Sequence, residues 1–186
     1  LQTLGRRAFF QCFSLVSAYM GGCEAVPDAA FASCSSLQSV SFGRNIISIG
    51  TEAFAECTNL TQISLGNRLE TIGESAFRRC AKLAKIAFPA TLSKMGSFAF
   101  YECASLEEIS IPGLVKIIPL AAFRGCMSLA SVTIAEGVQT IGNDAFHDCA
   151  SIQSIVLPAS LTTLGEGAFE YCISMEWMVL GRLKSV

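Results

Sequence analysis

The sequence has little charge and almost no histidine. Of its 186 residues only 15% are charged, 13 of them basic and 15 acidic, which gives a net charge of -2. A balance this close to neutral supplies no bulk attraction for nucleic acid or for an acidic membrane surface. Because 52% of the residues are apolar, the chain has ample material for a core, and intrinsic disorder is excluded.

Long apolar runs are missing as well. The mean hydropathy is positive, but no uninterrupted apolar stretch approaches the roughly 18 residues that a transmembrane helix needs. The chain begins at Leu1 without a leader of secretory type, and it begins part-way through the repeat described below. We therefore expect no transmembrane segment, and we interpret the chain as a fragment or a processed piece of a longer one.

Patterns that support catalysis or cofactor binding are also lacking. His147 is the only histidine, it has no evident serine or cysteine partner, and it stands at a variable position that we expect to be exposed. Glu107 and Glu108 are adjacent on a predicted strand, so they do not form a catalytic pair. The sequence has no Cys-x-x-Cys and no Gly-x-Gly-x-x-Gly. We predict no catalytic, metal-binding or cofactor-binding residues and no cofactor, and we expect that the protein is not an enzyme.

What the sequence does contain is an internal repeat. The motif Ala-Phe-x-x-Cys occurs eight times, and the step between successive phenylalanines is 22 residues once and 23 residues six times. Such regularity indicates a chain built from equal structural units. The repeated phenylalanines are Phe9, Phe31, Phe54, Phe77, Phe100, Phe123, Phe146 and Phe169.

Each repeat also carries two apolar residues in alternation, such as Ile109 and Ile111, which predicts a short strand with one buried face. The Ala-Phe-x-x-Cys segment reads as a single helical or 3₁₀ turn. One unit cannot bury its own apolar side, but stacked units cover each other and pair their strands in parallel. The prediction for residues 1–186 is one mainly β repeat solenoid of about eight units. It would form a horseshoe or right-handed coil with a parallel sheet and short helical or 3₁₀ turns.

The stretch 106–126 reads LEEISIPGLVKIIPLAAFRGC. It resembles the BspA-like class of leucine-rich repeats, whose pattern is Leu-x-x-Ile-x-Ile-Pro followed by Val-x-x-Ile-Gly-x-x-Ala-Phe-x-x-Cys, with Pro119 here in place of the usual glycine. The resemblance extends over essentially the whole chain. It implies a leucine-rich-repeat solenoid that acts as a binding surface, often on bacterial or protist cells. The first repeat departs from the pattern, because it is one residue short around Gly21, Gly22 and Cys23.

Eight of the nine cysteines belong to the repeat. Stacking would place them about 5 Å apart with parallel Cα–Cβ bonds, a geometry unsuited to disulfides and to tetrahedral zinc. We interpret them as small buried residues whose S–H groups donate weakly to turn carbonyls. Cys23 lies outside the column; we expect it to fill the slot held by Ile46 and Leu69 elsewhere, and it is the cysteine to test for reactivity. So many thiols slightly favour a reducing intracellular or organellar compartment.

The outward strand positions offer one candidate binding surface. They are mostly short and uncharged, which suits close contact with another protein, although such residues are also ordinary on solvated strands. Trp177 and Tyr19 occupy outward positions, and aromatic residues of these types often anchor interfaces. The alternative for Trp177 is that it shields the end of the core.

The turn side of the coil offers a second candidate surface. Phe98, Tyr101, Ile117 and Leu120 are apolar or aromatic where other repeats carry polar residues, so they form a candidate patch, unless they fold back onto their own coil. Nearby in sequence, six basic residues fall within two repeats, and they would steer an acidic partner unless they are simply solvated. The basic residues are Arg68, Arg78, Arg79, Lys82, Lys85 and Lys94.

These features favour a non-catalytic protein-interaction or scaffold module, such as a peripheral subunit of a larger assembly. The alternative is an adhesin-type binding module displayed on a cell surface. Both interpretations imply a protein partner.

Overall fold

The chain winds into a stack of coils, most of which contribute one longer and one very short β-strand. A computed structural model describes residues 3–181 of the protein. The longer strands are β1 (Ser17–Met20), β3 (Ser39–Phe42), β5 (Gln62–Ser64), β8 (Glu108–Ile111), β10 (Ser131–Ile134), β12 (Ser154–Leu157) and β14 (Trp177–Leu180). The short strands are β2 (Ala25–Val26), β4 (Ser48–Ile49), β6 (Thr71–Ile72), β7 (Lys94–Met95), β9 (Ile117–Ile118), β11 (Thr140–Ile141) and β13 (Thr163–Leu164).

All these strands pair in parallel with the equivalent strand of a neighbouring coil. The register follows the repeat, since Ser17 pairs with Ser39 and Ser39 pairs with Gln62. In the coil that contains Lys85, the longer strand is reduced to a single parallel β-bridge between Lys85 and Glu108. The short strands form a second series of ladders along another side of the coil. The predicted parallel-sheet repeat solenoid is confirmed.

A ladder of phenylalanines runs through the core. Phe31, Phe54, Phe77, Phe100, Phe123 and Phe146 are each at most 1% exposed. Neighbouring rings stack with centroids 5.1–5.4 Å apart and interplanar angles of 10° or less. Stacked aromatic pairs contribute about 0.5–1.5 kcal/mol beyond the area they bury, so the ladder links each coil to the next.

The Ala-Phe-x-x-Cys segment is not the helical or 3₁₀ turn that the sequence predicts. No residue between 3 and 181 is helical; the segment is a series of tight turns. In a typical coil, Glu52 and Glu56 have positive φ angles of 54° and 62°. The N–H of Phe54 leaves its coil to reach the carbonyl of Ala76, whereas that of Ala55 stays within it and bonds to Glu52. A helix would keep both bonds inside the segment, so the inter-coil bonds replace it.

The two left-handed positions recur in every coil, one residue before the alanine and one before the cysteine of the motif. Fourteen non-glycine residues between 3 and 181 have positive φ, and all fall in these two columns. Gly167 and Gly125 fill the two remaining places with φ of 61° and 76°. The ridge of the solenoid is therefore built from residues in a backbone conformation that L-amino acids seldom adopt.

The cysteine column behaves as predicted, as a series of buried donors. The thiol of Cys57 donates to the carbonyl of Phe31 in the preceding coil at 3.1 Å, and the thiols of Cys34, Cys80, Cys103, Cys126, Cys149 and Cys172 make the equivalent bond. Burial raises the pKa of the Cys103 thiol to about 12, which keeps it protonated and able to donate.

Cys23 lies in the slot expected for it. It is 2% exposed, and the equivalent Ile46 and Leu69 are fully buried. Cys12, by contrast, is exposed. Cys23, expected to be the cysteine to test for reactivity, is therefore shielded from solvent, and Cys12 is the exposed cysteine. The described coils contain no helix that could cross a membrane.

Candidate interaction surfaces

The main sheet presents an outer face of short side chains, here called the sheet face. Its residues stand in two columns because the parallel register keeps equivalent positions in line, as in the pairs Ser41 with Ser64 and Ser110 with Thr133. Apart from Gln62, Lys85 and Glu108, the side chains of this face are short or aromatic, and such a surface loses little conformational entropy when another protein covers it.

Tyr19 and Trp177 both lie on the sheet face but at its two ends. Tyr19 is 80% exposed and Trp177 is 52% exposed. Seven strand spacings of about 4.8 Å separate the first strand from the last, so the two aromatic side chains are roughly 34 Å apart. The structure does not bring them into one site, and a partner would have to span most of the face to contact both.

Trp177 lies instead beside exposed valines. Ser154 pairs with Trp177 and Val156 pairs with Val179, so Trp177, Val156 and Val179 share the outer side of β12 and β14. The two valines are 54% and 37% exposed. Met178 and Leu180, which alternate with Trp177 and Val179 on β14, are 45% and 60% exposed as well. We define Trp177, Val156 and Val179 as the apolar corner of the sheet face.

A second surface, here called the turn ridge, is formed by the side chains of the Ala-Phe-x-x-Cys turns and the residues just before them. Phe98 and Tyr101 meet edge to face with ring centroids 5.9 Å apart, and both are half-buried. The two side chains therefore contact each other within their own coil. Leu120 stays 42% exposed in the next coil, and its carbonyl accepts the N–H of Phe98 at 3.0 Å.

Ile117 belongs to neither surface. It is 55% exposed on β9, where it pairs with Thr140 in the ladder of short strands. The four candidates Phe98, Tyr101, Leu120 and Ile117 therefore divide into three adjacent ridge residues and one on the short ladder.

Three of the six basic residues form ion pairs with carboxylates. Arg78 lies 3.0 Å from Glu56, and Arg79 lies 2.8 Å from Glu102 and 3.7 Å from Glu56. Lys85 is on the sheet face, 3.8 Å from Glu108 and 4.0 Å from Glu107. Arg78, Arg79 and Lys85, the three named as site candidates, are thus paired with acids of neighbouring coils and do not lie on one surface.

The pairing with Arg79 changes the pKa of Glu102. Burial acts to raise the pKa of Glu102, but hydrogen bonds from Arg79 and Tyr101 outweigh it, so the pKa of Glu102 is lowered. The same hydrogen bond to Glu102 raises the pKa of Arg79. These ion pairs join one coil to the next along the ridge, which suits a structural role at partly exposed positions.

His147 is buried, contrary to the expectation of exposure. It is 7% exposed, its ring meets Tyr171 edge-on at 5.1 Å, and carboxylates of Asp148 and Glu170 lie nearby. The variability of its position suggested a solvated side chain, but the next coil covers the ring. Asp148 is its neighbour in the sequence, and Glu170 stands one repeat later, a proximity that an alignment of the repeats would have shown.

A cavity of about 480 Å³ opens at the first coils and is lined mainly by apolar side chains, among them Leu4, Phe9 and Met20. None of its lining residues is His, Asp, Glu, Lys or Arg. Its titratable lining residues are Tyr19 and Cys23.

The repeat, the parallel register and the buried Phe and Cys columns define a leucine-rich-repeat solenoid. The sequence pattern of the BspA type leucine rich repeat region matches residues 1–67 and 48–176 in six copies. The chain belongs to this family. Proteins with such repeats are generally interaction or surface modules and are typically not enzymes.

Solved structures agree on the fold. A leucine rich repeat protein of T. pallidum superposes with a TM-score of 0.76 at 26% identity, covering 82% of this chain and 72% of that one. A leucine-rich repeat protein from Bacteroides ovatus superposes with a TM-score of 0.61 at 26% identity, covering 96% of this chain and 58% of the B. ovatus chain. A leucine rich cell surface protein from Faecalibacterium prausnitzii superposes with a TM-score of 0.62 at 24% identity, covering 93% of this chain and 62% of the F. prausnitzii chain. The chain thus spans less than two thirds of the last two. A comparison with curated protein sequences gave no match.

Proposed function

We propose that the protein is a non-catalytic interaction module that binds a protein partner on its sheet face. The observation that carries the proposal is the apolar corner, where one tryptophan and two valines are exposed side by side on neighbouring strands. Tryptophan in particular tends to dominate interface energetics when a partner buries it.

The sheet face carries few charges, and this indicates a partner surface that is itself weakly charged. Lys85 is matched by Glu107 and Glu108, and the columns around it are mostly serine and threonine. A partner need not carry a strong charge of either sign. We therefore expect a flat, weakly charged protein surface with apolar groups opposite Trp177, and affinity that changes little with salt.

Site-specific photo-crosslinking in the source cells tests this proposal. A photoreactive residue at Thr133 on the sheet face should give one defined crosslinked protein, whereas the same residue at Thr71 on the short ladder should not. Trp177→Ser should weaken the purified complex by at least about tenfold.

A matched control is available in the last coil. Ile173 is 81% exposed, more than Trp177, but lies outside the sheet face. Ile173→Ser should leave binding unchanged. Equal losses from Ile173→Ser and Trp177→Ser, or crosslinks only from Thr71, would refute the sheet face as the binding surface.

The second candidate function is an adhesin-type module on a cell surface. It is supported by the structural likeness to the F. prausnitzii protein, which is described as a cell surface protein. The cysteine column does not distinguish a cell-surface module from a scaffold inside the cell, because buried protonated thiols are shielded from oxidants in both places. Protease treatment of intact cells distinguishes the two: a surface module is removed, whereas a scaffold inside the cell survives until lysis.

A further inference from the structure

One cluster on the turn ridge combines a histidine with several carboxylates from two neighbouring coils. One ligand atom from each of Asp144, His147 and Glu170 can be chosen so that all lie within 4.8 Å of one another. Nε2 of His147 lies 3.8 Å from Oε2 of Glu170. No other group of this kind with three or more potential ligands occurs in residues 3–181.

The imidazole of His147 is buried, but one of its ring nitrogens lacks a hydrogen bond. His147 is 7% exposed, and its buried Nδ1 makes no hydrogen bond. Oδ2 of Asp148 lies 2.9 Å from Nδ1 but without the alignment of a hydrogen bond. A buried polar nitrogen without a hydrogen bond costs about 1–3 kcal/mol, so the arrangement calls for a further interaction.

Gly167 provides room for the two carboxylates. It occupies the left-handed column in which the coil before it carries Asp144. A Cβ atom on Gly167 would lie 2.5 Å from Oδ1 of Asp144 and 3.2 Å from Oε2 of Glu170. Both oxygens therefore border the same small space, which any larger residue at position 167 would fill.

The charges in this space do not balance. Arg124 neutralises only one oxygen of Asp144, its Nη1 lying 3.2 Å from Oδ2, and the other oxygen, Oδ1, faces Gly167. Three carboxylates, those of Asp144, Asp148 and Glu170, then share one arginine and one imidazole. The carboxylates outnumber the single guanidinium, and such an excess of anionic oxygens suits a bound cation.

We propose that Asp144, His147 and Glu170 form a binding site for a divalent transition-metal ion, with Zn²⁺ as the representative ion. Oδ1 of Asp144, Nε2 of His147 and Oε2 of Glu170 are its ligands, and water completes the coordination. An imidazole with carboxylates favours zinc over magnesium, which prefers oxygen ligands alone. The half-exposed carboxylate of Asp148 lies 2.9 Å from the second ring nitrogen, Nδ1, and needs only to turn into line to accept a hydrogen bond from it. A carboxylate in that position orients metal-bound histidines in proteins.

Only modest movement is needed to close the site. Ligand bonds of about 2.0–2.2 Å bring the donor atoms to roughly 3.5 Å from one another. The side chain of Glu170 is 54% exposed and free to move by the difference, whereas the buried histidine stays fixed. Because Glu170 belongs to the next coil, the ion would link the last two coils of the described chain.

Calorimetric titration of ZnCl₂ into the full 186-residue chain tests the proposal. Cys12→Ser is used as the background, since Cys12 is the exposed thiol and competes for zinc. We expect one site, and Glu170→Gln and His147→Gln should each weaken it by at least about tenfold, as the loss of a ligand does. Glu102→Gln is the matched control, because it removes a ridge carboxylate that is paired with Arg79. MgCl₂ should bind far more weakly.

A spectrum with Co²⁺ identifies the donors independently of folding effects. Nitrogen and oxygen ligands give visible d–d bands only, whereas thiolates add a near-ultraviolet charge-transfer band. The proposal is overturned if zinc does not bind, if Glu170→Gln retains full affinity, or if the cobalt complex shows the thiolate band. Glu170→Gln keeps the test decisive even if His147→Gln disturbs folding.

Discussion

The thiol of Cys103 donates a 3.1 Å hydrogen bond to the carbonyl oxygen of Phe77, and the same oxygen accepts the N–H of Cys80 at 3.1 Å. One carbonyl thus closes a turn in its own coil and holds the next coil in place. The relation recurs along the solenoid, so the cysteine column contributes through hydrogen bonds and packing together.

Cys103→Ala should lower the free energy of unfolding by about 1–3 kcal/mol, because it removes a buried donor and leaves a small cavity. Urea denaturation measures the change. Cys12→Ala, at an exposed position of the same column, should change stability by less than about 0.5 kcal/mol. Similar losses for both variants would show that the inter-coil thiol bond does not stabilise the fold.

Phe100→Ala should cost about 3–5 kcal/mol, since Phe100 is fully buried and stacks on the rings of both neighbouring coils. Phe13→Ala provides the comparison, because Phe13 is 56% exposed and should matter little. Thermal and urea unfolding of the two variants measure the difference. A mild effect of Phe100→Ala would mean that adjacent coils collapse into the vacated space.

Stability should fall steeply as the solution becomes alkaline. Burial raises the pKa of Cys57 and Cys103 to about 12 and that of Cys172 to about 11, from an ordinary value of 9.0. Above pH 9 the unfolded chain releases these protons while the folded chain retains them, so rising pH favours unfolding. The stabilisation is complete below pH 9 and is lost as the pH rises towards 11–12. Urea midpoints measured from pH 7 to pH 10.5 test this, and Cys57→Ala should reduce the slope.

Thiol labelling of the native chain should modify Cys12 first. Cys12 is exposed, whereas Cys23 is 2% exposed and Cys57, Cys80 and Cys103 are fully buried. Brief treatment with a maleimide followed by peptide mass spectrometry gives the order. Labelling of Cys23 at a comparable rate would mean that the short first repeat opens readily.

Glu52→Gly should stabilise the protein by about 0.5 kcal/mol, despite the usual cost of glycine. Glu52 has a φ of 54° and an exposed side chain, and glycine adopts this conformation without the steric penalty of a Cβ atom. Thr51→Gly, one residue earlier and outside the left-handed columns, should destabilise instead. If both changes destabilise, the positive φ at position 52 carries little strain.

Much of the fold could be predicted because repeat spacing and alternation specify register and burial. The pairing of Ser17 with Ser39 follows from the one short repeat, and the alternation of exposed and buried residues along β8 follows from the two-residue period of a strand. The left-handed columns could not be predicted, because they hold residues such as Glu52 and Phe98, whose types do not indicate positive φ.

The candidate sites were harder to predict because they depend on contacts between coils. In the sequence Arg79 belongs to a run of basic residues, whereas in the structure it is paired with Glu102, which lies 23 residues later. His147 and Glu170 are likewise one repeat apart, a separation that no local motif describes. Aligning the repeats and comparing each position with the next coil is the signal that could have found both.

The direction of the ridge hydrogen bonds has a consequence for synthesis. The N–H groups of Phe54 and Phe77 bond to carbonyls of the following coil, Ala76 and Ala99. Each pair of left-handed residues costs at least about 2 kcal/mol, which a coil regains only after its successor has arrived. A chain emerging from the ribosome should therefore order its turns one repeat behind the newest strand, with the last translated coil always awaiting the next.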